Sequence, residues 1–279
     1  MVNYEQSLQF FCQKCNCILK EIAANDYEQC NELCPICGHE ITLQVKKQTL
    51  PAPQITHFKT AYDLAARLTL GIDKIDNFLN ITAQDRVCIS GSFAHLVITR
   101  LCVRALMPIR SGGFGSQNVV FIDAGNSSDI YQTVNFARQY GMSIDHVLQN
   151  IIVGRPFTIY QLAGLIIYEL AGIIEKTHTK IIIISDLLAM FVQDPQISQH
   201  EVSYILSEIV KSLANITDDI LIVLSLHEPS QHDDKIVSQF NKSIMLESDG
   251  KQVNINLRNN QKTDCFSMPE RNLRLVQTK

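Results

Sequence analysis

The sequence predicts an α/β fold: a doubly wound, mostly parallel sheet flanked by helices, behind a small cysteine-bearing module. Three observations carry this. Short apolar runs alternate with amphipathic segments over most of the chain, the pattern of strand–helix–strand units. The central runs are continuously apolar rather than alternating, as expected of strands covered on both faces. Six of the nine cysteines fall between Cys12 and Cys37. At 279 residues, 46% of them hydrophobic, the chain has room for one sizeable core and a small accessory module.

The cysteine module comes first. Cys12-Gln13-Lys14-Cys15 and Cys34-Pro35-Ile36-Cys37-Gly38 each form a tight knuckle that turns two thiolates toward one centre. The intervening 18 residues suffice for a hairpin that brings the pairs together. Four thiolates at tetrahedral geometry suit a structural Zn2+ held by Cys12, Cys15, Cys34 and Cys37. Cys17 or Cys30 could replace one of the four. The arrangement resembles a zinc ribbon, spanning 1–46. A disulfide framework is the rival, but no run resembles a signal peptide. The expected setting is therefore intracellular, cytoplasmic or (in a eukaryote) nuclear, where thiols stay reduced.

Residues 47–66 read as a linker, because Pro51 and Pro53 exclude helix. The core is expected over 67–279. Its candidate strands are Val87–Ser90, Val119–Asp123, Ile181–Asp186, Ile220–Leu226, Ser243–Glu247 and Val253–Leu257. Helices are expected from Ser128 to Tyr140, stopped by Gly141, and from Thr158 to Lys176. Another runs to about Ala214 from the capping box Ser198-Gln199-His200-Glu201. The most apolar helical stretch, Leu162 to Ile174, is too short to span a membrane and carries Tyr168 and Glu169; it reads as a buried helix of a large core. No membrane partner is expected. Cys88, Cys102 and Cys265 sit in apolar patterns and are expected to be buried thiols.

Between the first strand and its helix stands Gly91-Ser92-Phe93-Ala94-His95-Leu96-Val97-Ile98. A phosphate loop in this context reads G-x-x-x-x-G-K-[ST]. Its second glycine lets the backbone wrap the phosphates, its lysine neutralises charge, and its hydroxyl holds magnesium. Those positions are Leu96, Val97 and Ile98, none of which can do the work.

The segments Thr69–Leu79, Gly91–Ile98, Val119–Asp123, Asn150–Phe157 and Ile181–Asp186 follow one another in a set order. In that order and spacing they resemble the RecA-like ATPase core of the RadA recombinase family, from about Phe58 to the C-terminus. The resemblance places the family's catalytic glutamate at Gly125, its magnesium-supporting aspartate at Asp186 and its phosphate-sensing glutamine at His227. With lysine, hydroxyl and glutamate all replaced, no ATPase activity is expected, and ATP is not expected as a ligand. Arg100 lies a turn too far along its helix to substitute.

The family's two loops for single-stranded DNA would be 192–197 and 228–235. The first holds no basic residue and the second holds Glu228, Asp233 and Asp234, a poor match for phosphate contacts. Net charge is −4 overall, yet residues 251–279 carry 6 Lys/Arg against 2 Asp/Glu. Any contact with single-stranded DNA would therefore come from the zinc ribbon or this basic C-terminal segment, whose charges equally suit solvated strand edges. Phe58-Lys59-Thr60-Ala61 precedes the core where the family carries its F-x-x-A polymerisation motif. Phe58 and Ala61 either dock on another protomer or pack on this chain's own core; the spacing also fits any amphipathic helix.

The resemblance implies a non-catalytic RadA-like paralog, an accessory or mediator factor in homologous recombination and DNA repair. Its partners would be a RadA-type recombinase or other RecA-fold paralogs. The alternative is a non-enzymatic RecA-fold subunit of another assembly, such as an Elongator-like ring or an unnamed scaffold.

Overall fold

The computed structural model describes residues 7–11, 18–23, 37–38, 66–193, 197–217, 219–227 and 236–274. The chain divides into two units, Met1–Phe58 and Lys59–Lys279. In the first unit, β1 (Ser7–Phe11) and β2 (Ile18–Ala23) pair antiparallel, with Ser7 opposite Ala23. Cys37 falls in a turn and Gly38 follows at φ +67°, a left-handed position that suits glycine. The linker, with Phe58 and Ala61, lies outside the described residues, as do Cys12, Cys15, Cys17, Cys30 and Cys34.

The second unit opens with α1 (Asp73–Leu79). The Asp76 carboxylate accepts the backbone N–H groups of Leu70, Gly71 and Ile72, closing the Thr69–Leu79 segment on itself. Arg104 donates to the Thr69 carbonyl and hydroxyl from the other side. Next come β3 (Arg86–Gly91), α2 (Ala94–Leu106), β4 (Val119–Asp123), α3 (Ile130–Gln139), α4 (Ile144–Asn150) and β5 (Ile151–Gly154). A long helical stretch follows: α5 (Ile159–Gly164), a π-helical turn (Leu165–Glu169) and α6 (Leu170–Thr177). The remainder is β6 (Ile181–Ser185), α7 (Ala189–Gln193), α8 (Gln199–Ala214), β7 (Leu221–Leu226), β8 (Lys242–Ser248), β9 (Gln252–Asn259), β10 (Lys262–Pro269) and α9 (Glu270–Arg274).

Eight strands form one sheet in the order β10-β9-β8-β3-β7-β6-β4-β5. From β8 to β5 every neighbouring pair is parallel, while β8–β9 and β9–β10 are antiparallel. The central strands alternate between two cores. Val87, Ile89, Ile181, Ile183, Leu221 and Val223 join one apolar layer with α2 and parts of α3 and α4. Cys88, Ile182, Ile184, Ile222 and Leu224 join the other, under α5, α6 and α8. Both faces are dry, which is why these strands read as unbroken apolar runs.

Caps set the helix starts. Asp129 caps α3, so that helix begins at Ile130 rather than at Ser128. Ser198 caps α8 by accepting the Glu201 N–H; the Glu201 carboxylate accepts the Tyr160 hydroxyl at 2.7 Å. Two expectations need correcting. Leu162, Ile166 and Leu170 are buried as expected, yet Tyr168 in the same stretch is 82% exposed. Cys88 and Cys102 are buried, but Cys265 is exposed. It lies on β10 in phase with the outward Thr263 and Ser267, while Asp264, Phe266 and Met268 are partly covered.

Candidate functional site

In open parallel sheets, ligands are held at the carboxyl ends of the strands, where the chain reverses its winding. Here those ends belong to β3, β4, β6 and β7. Gly91 closes β3 at φ +94°, and a Cβ there would lie 2.1 Å from the Leu246 carbonyl oxygen. Ser92 N–H donates to that same oxygen at 3.1 Å. Only Ser92 and Phe93 separate Gly91 from the first residue of α2. Leu96, Val97 and Ile98 lie inside the helix and are all buried, Val97 and Ile98 completely.

At the end of β4, Asp123 is fully buried. Its Oδ1 accepts the Ser127 N–H at 2.9 Å. Its Oδ2 accepts Nε and Nη2 of Arg155 at 3.1 and 3.0 Å, and more weakly the Ser128 N–H. One carboxylate thus ties the loop after β4 to the chain leaving β5.

Gly125, where the resemblance puts the glutamate, is pressed against Asp186: a Cβ on it would sit 2.7 Å from the Asp186 Cβ. Asp186 has φ +51°, a left-handed conformation that Asp tolerates better than most residues. Its N–H donates to Ser225 Oγ at 2.9 Å, and its Oδ1 accepts the His227 N–H at 3.2 Å. Asp186 therefore clamps the ends of β6 and β7 together. Arg100 is buried and donates to the Tyr140 hydroxyl and the Leu273 carbonyl, so it serves the core.

A small polar cluster occupies the crevice, which sequence reasoning did not assemble. His95 Nδ1 lies 3.5 Å from Ser127 Oγ, which in turn lies 3.3 Å from Ser185 Oγ. The His95 Nε2 atom is buried without a hydrogen-bond partner among the described residues. Burial holds the His95 imidazole below its ordinary pKa, against the pull of Asp123, Asp129 and Asp186. The cluster's members come from the start of α2, the loop after β4 and the end of β6, so no local spacing announces them. The sequence signal was positional only: Ser185 ends an apolar run, and His95 and Ser127 each follow one by a few residues.

The other predicted binding residues divide by location. Cys37 is half-buried and is the one zinc-ligand candidate among the described residues. β1 and β2 flank the stretch that holds Cys12 and Cys15, and Gly38 takes the left-handed turn that a Cys-Pro-x-Cys-Gly knuckle calls for. Among the described residues no group of three or more His, Cys, Asp or Glu side chains could hold a metal ion. The loop 228–235 and residues 194–196 lie outside the described residues. In the basic C-terminal segment, Arg258 donates to Ser243 Oγ and to the Val237 and Phe240 carbonyls, which makes it structural. No described helix is long and apolar enough to cross a membrane.

The order of strands and the crevice at their ends define a RecA-like α/β core. Residues 66–252 match the Rad51 family, and the chain belongs to that family. It is 28% identical over 131 residues to "Meiotic recombination protein DMC1 homolog A" of Oryza sativa subsp. japonica, covering 45% of this chain and 37% of that protein. To homolog B of the same plant it is 27% identical over 146 residues, covering 48% and 42%. The chain thus spans about two fifths of the length of these relatives.

Proposed function

We propose that this chain is a non-catalytic member of the Rad51 family that acts by binding, as an accessory or mediator factor in homologous recombination and DNA repair. One observation carries the reading: Val97, at the position of the phosphate-loop lysine, is a fully buried core residue of a helix that starts at Ala94. Phosphoryl transfer relies on positioned cations around the phosphates, and the matched positions supply aliphatic side chains and a glycine instead. Binding energy is then what the molecule has to offer. A zinc-held N-terminal module and the Phe58–Ala61 element supply contacts to a RadA-type recombinase, and single-stranded DNA is a further ligand of the module or of the basic C-terminal residues.

The test is capture of the host's active RadA-type recombinase by this protein without nucleotide, wild type beside Phe58→Ala. An aromatic anchor of this kind contributes about 2–4 kcal/mol, so the variant should lose at least about thirtyfold in affinity. Failure of both forms to capture the recombinase would favour a structural subunit of a different assembly.

A further inference from the structure

A surface apart from the Phe58–Ala61 element lies where α5 meets the first turns of α8. There the Glu201 Oε1 accepts the Tyr160 hydroxyl at 2.7 Å, which fixes the carboxylate at the boundary of the two helices. Glu201 is half-buried, and no Lys or Arg pairs with it among the described residues. Tyr204 follows three residues on, one turn along the same face of α8. Helical side chains lean toward the N-terminus, which carries the Tyr204 ring back toward the turn that holds Glu201. Tyr160 is 57% and Tyr204 63% exposed, so two phenol rings border one oriented carboxylate at the surface.

The charge of these helices has the same sign as the carboxylate. Over α5, the π-helical turn, α6 and α8, Glu169, Glu175, Glu201 and Glu208 stand against Lys176 and Lys211. Lys211 is taken by Glu208 at 2.7 Å. A guanidinium complements such a surface best: its fork accepts pairing with a carboxylate, and its plane stacks on an aromatic ring. The interior already uses this pairing, with the Arg104 guanidinium 5.0 Å from the centre of the Tyr140 ring. An apolar side chain would strip water from Glu201 and leave nothing in its place. A nucleic-acid phosphate would meet like charge.

We propose that the Tyr160–Glu201–Tyr204 surface docks a basic, arginine-bearing segment of a protein partner. One arginine stacks on Tyr204 and sets its guanidinium on Glu201. This goes beyond the accessory reading and depends neither on Phe58 nor on a recombinase, so either can fail without the other.

A fluorescein-labelled peptide of alternating Gly and Arg, beside a Gly–Lys peptide of equal charge, tests this by anisotropy on the full chain. The arginine peptide should bind about three- to tenfold more tightly than the lysine peptide, and both should weaken as salt rises. Tyr204→Ala, at an exposed helix position, should erase that preference. Glu201→Gln keeps an acceptor for the Tyr160 hydroxyl and should weaken both peptides about two- to fivefold. Glu175→Gln removes the same charge from exposed α6 surface and should leave both affinities unchanged. The proposal is overturned by any of four results: no preference for arginine in the wild type, a preference that survives Tyr204→Ala, Glu175→Gln as damaging as Glu201→Gln, or binding of a labelled oligothymidine that Tyr204→Ala abolishes.

Discussion

At the scale of the residue, three positions decide what the strand ends can do. Val97 is wholly enclosed, so Val97→Lys would bury an unpaired ammonium among aliphatic neighbours. It should cost at least about 3 kcal/mol in urea unfolding and yield no ATP binding in equilibrium dialysis. Gly91 combines a positive φ with a backbone contact that leaves no room for Cβ. Gly91→Ala is expected to cost about 2–4 kcal/mol by the same assay. His95 governs a pH response. Its folded pKa lies below the unfolded value because burial disfavours the charged ring. Between those two values the unfolded chain binds more protons, so stability falls as pH drops through about 6.5 toward the folded pKa. Comparing denaturation midpoints of wild type and His95→Gln between about pH 7.5 and 5.5 should show a shallower decline in the variant. Equal slopes would remove His95 as the responsible group.

Elements show what could be read in advance and what could not. The central strands were legible because burial on both faces leaves an unbroken apolar run, as in Ile181–Ser185. β10 was not. Its residues, Lys-Thr-Asp-Cys-Phe-Ser-Met-Pro, cover the core with alternate side chains only, and it forms the outer edge of the antiparallel end. The same half-covering exposes Cys265. β5 has only four residues, too few for a pattern by themselves. Of the candidate site, Leu96, Val97 and Ile98 could be placed from a local motif, whereas the His95–Ser127–Ser185 cluster exists only once the start of α2, the loop after β4 and the end of β6 meet. Helix starts depend on single caps, and Ser198→Ala should therefore lower stability by about 1 kcal/mol, seen as a shift in urea midpoint without a change in slope.

Across the whole molecule, two units with different sources of stability are expected to fail separately. The core has two extensive apolar layers. The N-terminal module has little room for a core, and a bound Zn2+ would supply most of its folding free energy. A strong chelator should release about one Zn2+ per chain and disorder the module, leaving the thermal midpoint of residues 67–279 unchanged. Metal analysis before and after chelation, with calorimetry, checks both halves of that expectation. A Cys12→Ser, Cys15→Ser variant should reproduce the chelated state.

The close fit of Gly125 against Asp186 also limits what this position accepts. Any side chain there would press on the Asp186 Cβ and push the aspartate off the Ser225 hydroxyl and the His227 N–H that it holds. A single methyl group at the end of β4 would thus be felt as a loosened seam between β6 and β7.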